Sequence, residues 1–241
     1  MRSVAIHKSY AKLWVFITTV LERRGTMENY QEILSLVALT MGVGWASGIN
    51  LYAALLVLGL GGATGNIALP APLEVLQNPL VIGAAGLMYL LEFVLDKTPG
   101  VDTGWDTIST FIRIPAGAIL ASSAVGDVSP AIEIAAGIMG GGLATVSHGA
   151  KAGSRLLINT SPEPFSNWTA SVTEDVVVVG GLWAALTHPL IFLILLLLFF
   201  ILVIWLLPKL YRGIKYLAQK IGSLFGGKPP PPSMGLDNRL R

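Results

Sequence analysis

The stretch LIFLILLLLFFILVIWLL fills residues 190–207, eighteen apolar side chains without a charge among them. A helix over it would be about 27 Å long, close to the roughly 30 Å hydrocarbon core of a bilayer. Lipid offers no water to unpaired backbone N–H and C=O groups, so a segment this apolar is predicted to cross a membrane as a helix. His188-Pro189 stands before it. Behind it Lys209, Arg212, Lys215 and Lys220 interleave with Leu210, Tyr211, Ile214, Leu217, Ile221 and Leu224. That spacing gives a helix one basic and one apolar face, which predicts an amphipathic surface helix over 208–225 lying on anionic lipids. Beside a membrane span this outweighs the nucleic-acid reading of such a patch. Residues 226–241, with prolines at 229–232, read as a disordered tail.

The rest of the chain follows the same pattern. Hydrophobic residues make up 53% and charged residues 12%, with a mean hydropathy of +0.68. A soluble domain carries about twice that charged fraction. Apolar runs at 33–60, 79–95, 107–125, 130–147 and 172–187 bring the expectation to an all-α, polytopic transmembrane bundle of about six spans, within 27–207. The runs are continuous rather than alternating, which argues against a β-barrel. The first run is longer than one crossing needs. Gly44, Ser47, Gly48 and Asn50 lie in its middle, so it is predicted to be one long tilted helix or two half-helices meeting at 44–48. Residues 1–26 are a weakly apolar stretch interrupted by Lys8 and Lys12, expected to be an extension ahead of Met27 or a surface helix.

Charge is segregated. Positions 28–207 hold twelve acidic residues against four bases, Lys97, Arg113, Lys151 and Arg155, while both ends are basic. Basic flanks tend to stay on the cytoplasmic side, which places the C-terminus there. Charges at membrane depth cost several kcal/mol unless paired or wet, so those inside the apolar runs call for an explanation. Glu92 and Asp96 are four apart and share a helix face, as do Asp102 and Asp106. Capping is the plainer reading for Asp102, Asp106 and Lys97, because they flank the Pro99-Gly100 turn. Glu92 lies a turn inside its span and Arg113 well inside the next. His148, Lys151 and Arg155 fall at i, i+3 and i+7, a basic stripe that either snorkels to water or pairs with Glu92, Asp96, Glu163, Glu174 or Asp175. The same stripe would suit an anionic head group.

The absence of cysteine removes disulfides, thiolate chemistry and cysteine-ligated metals. No second histidine stands at ligand spacing from His148, and His188 reads as a turn residue. Phosphate-binding Gly-rich loops, the zinc-protease motif and the Gly-Xaa-Ser-Xaa-Gly elbow are all absent. No cofactor is expected.

Several stretches together resemble a known family: Ala46-Ser47-Gly48-Ile49-Asn50-Leu51-Tyr52-Ala53; Glu92-Phe93-Val94 with Asp96 to Asp102 and Trp105-Asp106; Thr110-Phe111-Ile112-Arg113 with Pro115-Ala116-Gly117-Ala118; and Asn159 to Asn167 around Ser161-Pro162-Glu163-Pro164. They look like the bacterial membrane family called domain of unknown function 4126, over about residues 33–187. The resemblance implies a multi-pass protein of the inner membrane and carries over no catalytic residue.

Three classes of function fit these residues. A transporter, channel or flippase-like protein would use the intramembrane charges and a broken first helix. A scaffold or assembly factor would use the same charges only to set helix register. A membrane enzyme on lipid-linked substrates would need a nucleophile–base pair, and none is visible. The expected partner is the bilayer itself, and a homo-oligomer is compatible with the sequence.

Overall fold

Proline and asparagine mark where the helices begin. In a computed structural model, α2 (Pro79–Leu95), α4 (Pro130–Ile158), α5 (Pro164–Thr187) and α6 (Pro189–Leu224) all start on a proline, where the missing N–H would have had no partner anyway. The Asn78 side chain accepts from the Leu80 N–H at 2.9 Å and caps α2. The other elements are α1 (Arg2–Ala63), a short 3-10 turn (Ala71–Gln77) and α3 (Val101–Ala124). The structure describes residues 2–96, 101–126, 128–158 and 164–224. The side chains of 2–27, 102, 103, 164, 165, 167, 210, 214, 216–218 and 220–224 fall outside the description. No strand occurs among the described residues, so the all-α expectation holds. The expected tail at 226–241 lies outside them.

Large apolar side chains point away from the bundle, among them Leu80 (82% exposed), Phe111 (80%) and Ile138 (71%). Water would penalise such a surface and lipid does not. The molecule is a membrane-embedded helical protein. Among the described residues, four helices are long and apolar enough to cross: Glu28–Ala63, Pro130–Ile158, Trp168–Thr187 and Pro189–Gly213. A fifth is added if the 3-10 turn and α2, bent by 68°, count as one. By length and composition the expected six spans are not reached. The shortfall is α3, in which Arg113 and the hydroxyls of Thr107, Ser109, Thr110, Ser122 and Ser123 dilute the apolar residues. The separate amphipathic helix expected over 208–225 is not seen either. Through Leu224, α6 is one continuous helix with Pro208 inside it, although Pro208 cannot bond the carbonyl one turn back. Residues 2–26 are helical and continue into the rest of α1.

The centre of the bundle is α1, which supplies Ala38, Val43, Trp45, Ala46, Ile49, Ala54 and Leu58 to the core. Its break is at Asn50 (φ −147°, ψ 96°), two residues beyond the predicted 44–48. The side chain explains the site: Asn50 Oδ1 accepts from Ala53 N at 3.0 Å and caps the second half. The glycines serve close approach instead. A Cβ on Gly44 would sit 2.7 Å from Gly140 Cα, and one on Gly48 would sit 2.9 Å from Ala144 Cα. Neither fits, so glycine lets α1 and α4 touch backbone to backbone.

Candidate functional site: a buried charge network

Side chains from α2, α3, α4 and α5 meet beneath the α1 break. Glu92 and Asp96 come from the last turn and C-cap of α2, Asp106 from the first half and Arg113 from the middle of α3. Lys151 and Arg155 come from the last third of α4, and Glu174 from the middle of α5. Six of the seven are at most 5% exposed, and only the Glu174 side chain, at 15%, is partly open.

Lys151 is the hub. Its Nζ lies 3.0 Å from Asp96 Oδ2, 3.2 Å from Glu174 Oε2, 3.4 Å from Glu92 Oε1 and 3.9 Å from Asp106 Oδ1. Arg155 grips Glu174 with two parallel bonds, Nε to Oε1 at 3.0 Å and Nη2 to Oε2 at 2.8 Å. It also donates to the Asp96 backbone carbonyl at 2.8 Å, an acceptor left open by the end of α2. Arg113 donates Nη2 to Glu92 Oε1 at 2.6 Å. Its Nη1 donates to the Ile49 carbonyl at 3.1 Å and the Gly48 carbonyl at 3.4 Å. The guanidinium thus stands where the first half of α1 ends, at the negative pole of a half-helix.

A second shell ties the break to the network. Asn50 Nδ2 donates to Asp175 Oδ1, and Tyr89 Oη to Asp175 Oδ2, both at 2.8 Å. Arg113 Nη1 approaches His148 Nδ1 at 3.3 Å. Arginine has only donors, so Nδ1 is the accepting nitrogen and the ring proton belongs on Nε2. Nε2 then points at the Asp106 carbonyl (3.1 Å) and at Thr110 Oγ1 (2.7 Å). Ser147 Oγ donates to the Trp45 carbonyl at 2.8 Å.

Among the described residues, four carboxylates surround three bases, and one of the four is bonded differently. Both oxygens of Asp106 lack a hydrogen-bond partner among the described residues although they are buried, and the nearest cation there, Arg113, is 3.7 Å away. Glu92, Asp96 and Glu174 each accept at least one direct bond. Asp106 and His148 also line a cavity of about 460 Å³ between α3 and α4, whose other polar residues are Thr107, Thr110 and Thr145. Among the described residues, no three His, Asp or Glu side chains are placed to hold a metal ion.

The pairing expected between the basic stripe and the acidic residues is what the structure contains. Lys151 and Arg155 do not snorkel. Asp106 is no cap: it lies six residues into α3, and its carbonyl accepts from the hydroxyls of Ser109 and Thr110. Asp102 and Glu163 lie outside the described side chains, as does Lys97. His148 belongs to the network, while the exposed His188 packs edge-on against Trp183 at the α5–α6 turn. Sequence reasoning passed over Tyr89 and Thr110. Helical spacing carried the signal, since each sits three residues before a buried charge, Glu92 and Arg113.

A bundle of apolar helices closed around ion pairs, with a broken helix at its centre, defines a polytopic membrane protein built around a charged interior. The chain belongs to the family described as Domain of unknown function (DUF4126), whose model matches residues 37–209. That stretch holds every network residue and the Asn50 break. No curated protein and no solved structure matches the chain.

Proposed function

We propose that this protein is a cation- or proton-coupled transporter or channel-like protein of the inner membrane, with the charge network as its coupling site. The observation that carries this reading is the odd carboxylate. Among the described residues, four acids share three bases in a buried interior, and Asp106, with Arg113 at 3.7 Å and Lys151 at 3.9 Å, receives no hydrogen bond. A buried charge left uncompensated is costly, so a proton or small cation arriving at Asp106 completes the balance. Its departure reverses the step. The discontinuous helix supports the same reading, because half-helix ends at mid-depth are a recurring way to build ion sites in transporters.

The test is flux in proteoliposomes. A proton or monovalent-cation gradient should drain through the wild-type protein, and Asp106→Asn should abolish the leak while leaving the folded protein intact. A scaffold is the alternative, favoured by the closure of the other pairs. It predicts no flux from either protein and no effect of Asp106→Asn in cells.

The basic residues after Pro208 support a cytoplasmic C-terminus facing anionic lipid. Trp205 is 59% exposed, and Lys209 Nζ stands 3.0 Å from the centre of its ring. That arrangement suits the boundary between acyl chains and head groups.

A further inference from the structure

The first helix does not continue through the bundle. Before Asn50, α1 runs parallel to α4, with Gly44 against Gly140 and Gly48 against Ala144. It runs antiparallel to α5, where Gly42 faces Ala185, Gly181 faces Trp45 and Asn50 bonds Asp175. The chain therefore descends from the end marked by the α3–α4 and α5–α6 turns toward the charge network. After Asn50 it lies antiparallel to α2: Leu56 faces Gly86, Gly59 faces Ile82 and Gly62 faces Gln77. Because α2 itself ends at the network, the second half leads away from it. Pro70 then reaches Gly126 at the α3–α4 turn, 3.9 Å from where a Cβ on that glycine would be. A straight continuation of 51–63 would end about 20 Å on the opposite side of Asn50. Seven residues could not bring the chain back from there to Gly126.

We infer that α1 is a re-entrant pair of half-helices, entering and leaving by one membrane face, with Asn50 at its tip against the charge network. Five crossings remain, the bent 3-10 turn plus α2, then α3, whose Ser109 and Arg113 are buried in the bundle rather than set in lipid, then α4, α5 and α6. Residues 28–37 and the basic segment after Pro208 consequently lie on opposite faces. The glycine-tight seam of the half-helices with α3 and α4 plugs the network from the face they enter. The partly open Glu174 and the end of α4 lie toward the other face. This deepens the transport reading by naming the barrier and the side of exchange, but the topology stands whether or not the protein transports anything.

The chain has no cysteine, so single cysteines can be introduced without removing any. Tyr30, Asn66, Ser129 and Lys215 are all exposed. Cysteines at the first three should react with a membrane-impermeant maleimide from one face, and Lys215→Cys only from the other. Ser154→Cys, half-buried between Lys151 and Arg155, should follow Lys215. Thr64→Cys replaces Asn66→Cys should the latter fold poorly, with gel filtration checking each variant. Labelling of Tyr30→Cys and Asn66→Cys from opposite faces would overturn the re-entrant pair, since α1 would then cross. Labelling of Ser154→Cys from the Tyr30 side would overturn the assignment of the network's open side. Neither result depends on finding a transported ion.

Discussion

A single lysine holds four carboxylates together. Removing its charge with Lys151→Met leaves Glu92, Asp96, Asp106 and Glu174 facing two bases in a low-dielectric interior. Breaking a buried pair in this way costs about 3–5 kcal/mol, so the unfolding midpoint in detergent should drop by several degrees. Glu92→Gln should act similarly by taking from Arg113 its 2.6 Å carboxylate partner, and much of that loss should return in the Glu92→Gln, Arg113→Met double variant, which removes both charges. Asp106→Asn is the contrasting case. Its carboxylate accepts no hydrogen bond, so neutralising it should leave the midpoint unchanged or raised. A loss as large as that of Glu92→Gln would show Asp106 to be an ordinary ion-pair partner. The spacing put Glu92 and Asp96 on one face and Lys151 and Arg155 on another, which made pairing one of the open readings beside snorkelling to water. The imbalance at Asp106 was not visible, since no spacing reveals which carboxylate is left without a donor when helices distant in sequence converge.

At the scale of helices, small residues decide how closely α1, α3 and α4 can approach. A Cβ on Gly140 would come within 2.6 Å of the Gly117 carbonyl, whereas one on Gly142, two positions on, would meet nothing within 4 Å. Gly140→Ala should therefore force the helices apart and destabilise the bundle. Gly142→Ala should be neutral or stabilise by up to about 1 kcal/mol, because alanine is the better helix former. Paired thermal melts of the two variants test this, and equal losses would show that the close seam is wrong. Asn50→Ala removes the cap on Ala53 and one of the two bonds to Asp175. It should lower stability by about 1–2 kcal/mol, and Asn50→Asp should do worse by setting a second carboxylate beside Asp175. The glycines and Asn50 stood out in the sequence as a weak point in the first apolar run. Where the run breaks depended on the Asn50 cap, and composition alone points equally well to 44–48.

For the molecule as a whole, the apolar runs determined the solvent. Residues 190–207 have no stable place in water, and so many unpaired apolar faces leave lipid as the surrounding medium for the bundle. The starts at Pro79 and Pro130 were also legible, because proline acts on the few residues around it, whereas α3 and α5 begin at Val101 and Pro164, ahead of the apolar runs at 107 and 172. The amino-acid sequence could not determine that the first and longest apolar run turns back on itself, or that α6 continues through Pro208. A span and a re-entrant pair bury the same kinds of side chain. They differ only in which neighbours each half touches, and those contacts join residues far apart in the chain. The charge network follows the same rule. Its members could be chosen one by one as residues that lipid would not tolerate, but their closure around Lys151, with four acids to three bases among the described residues, exists only once four helices have packed.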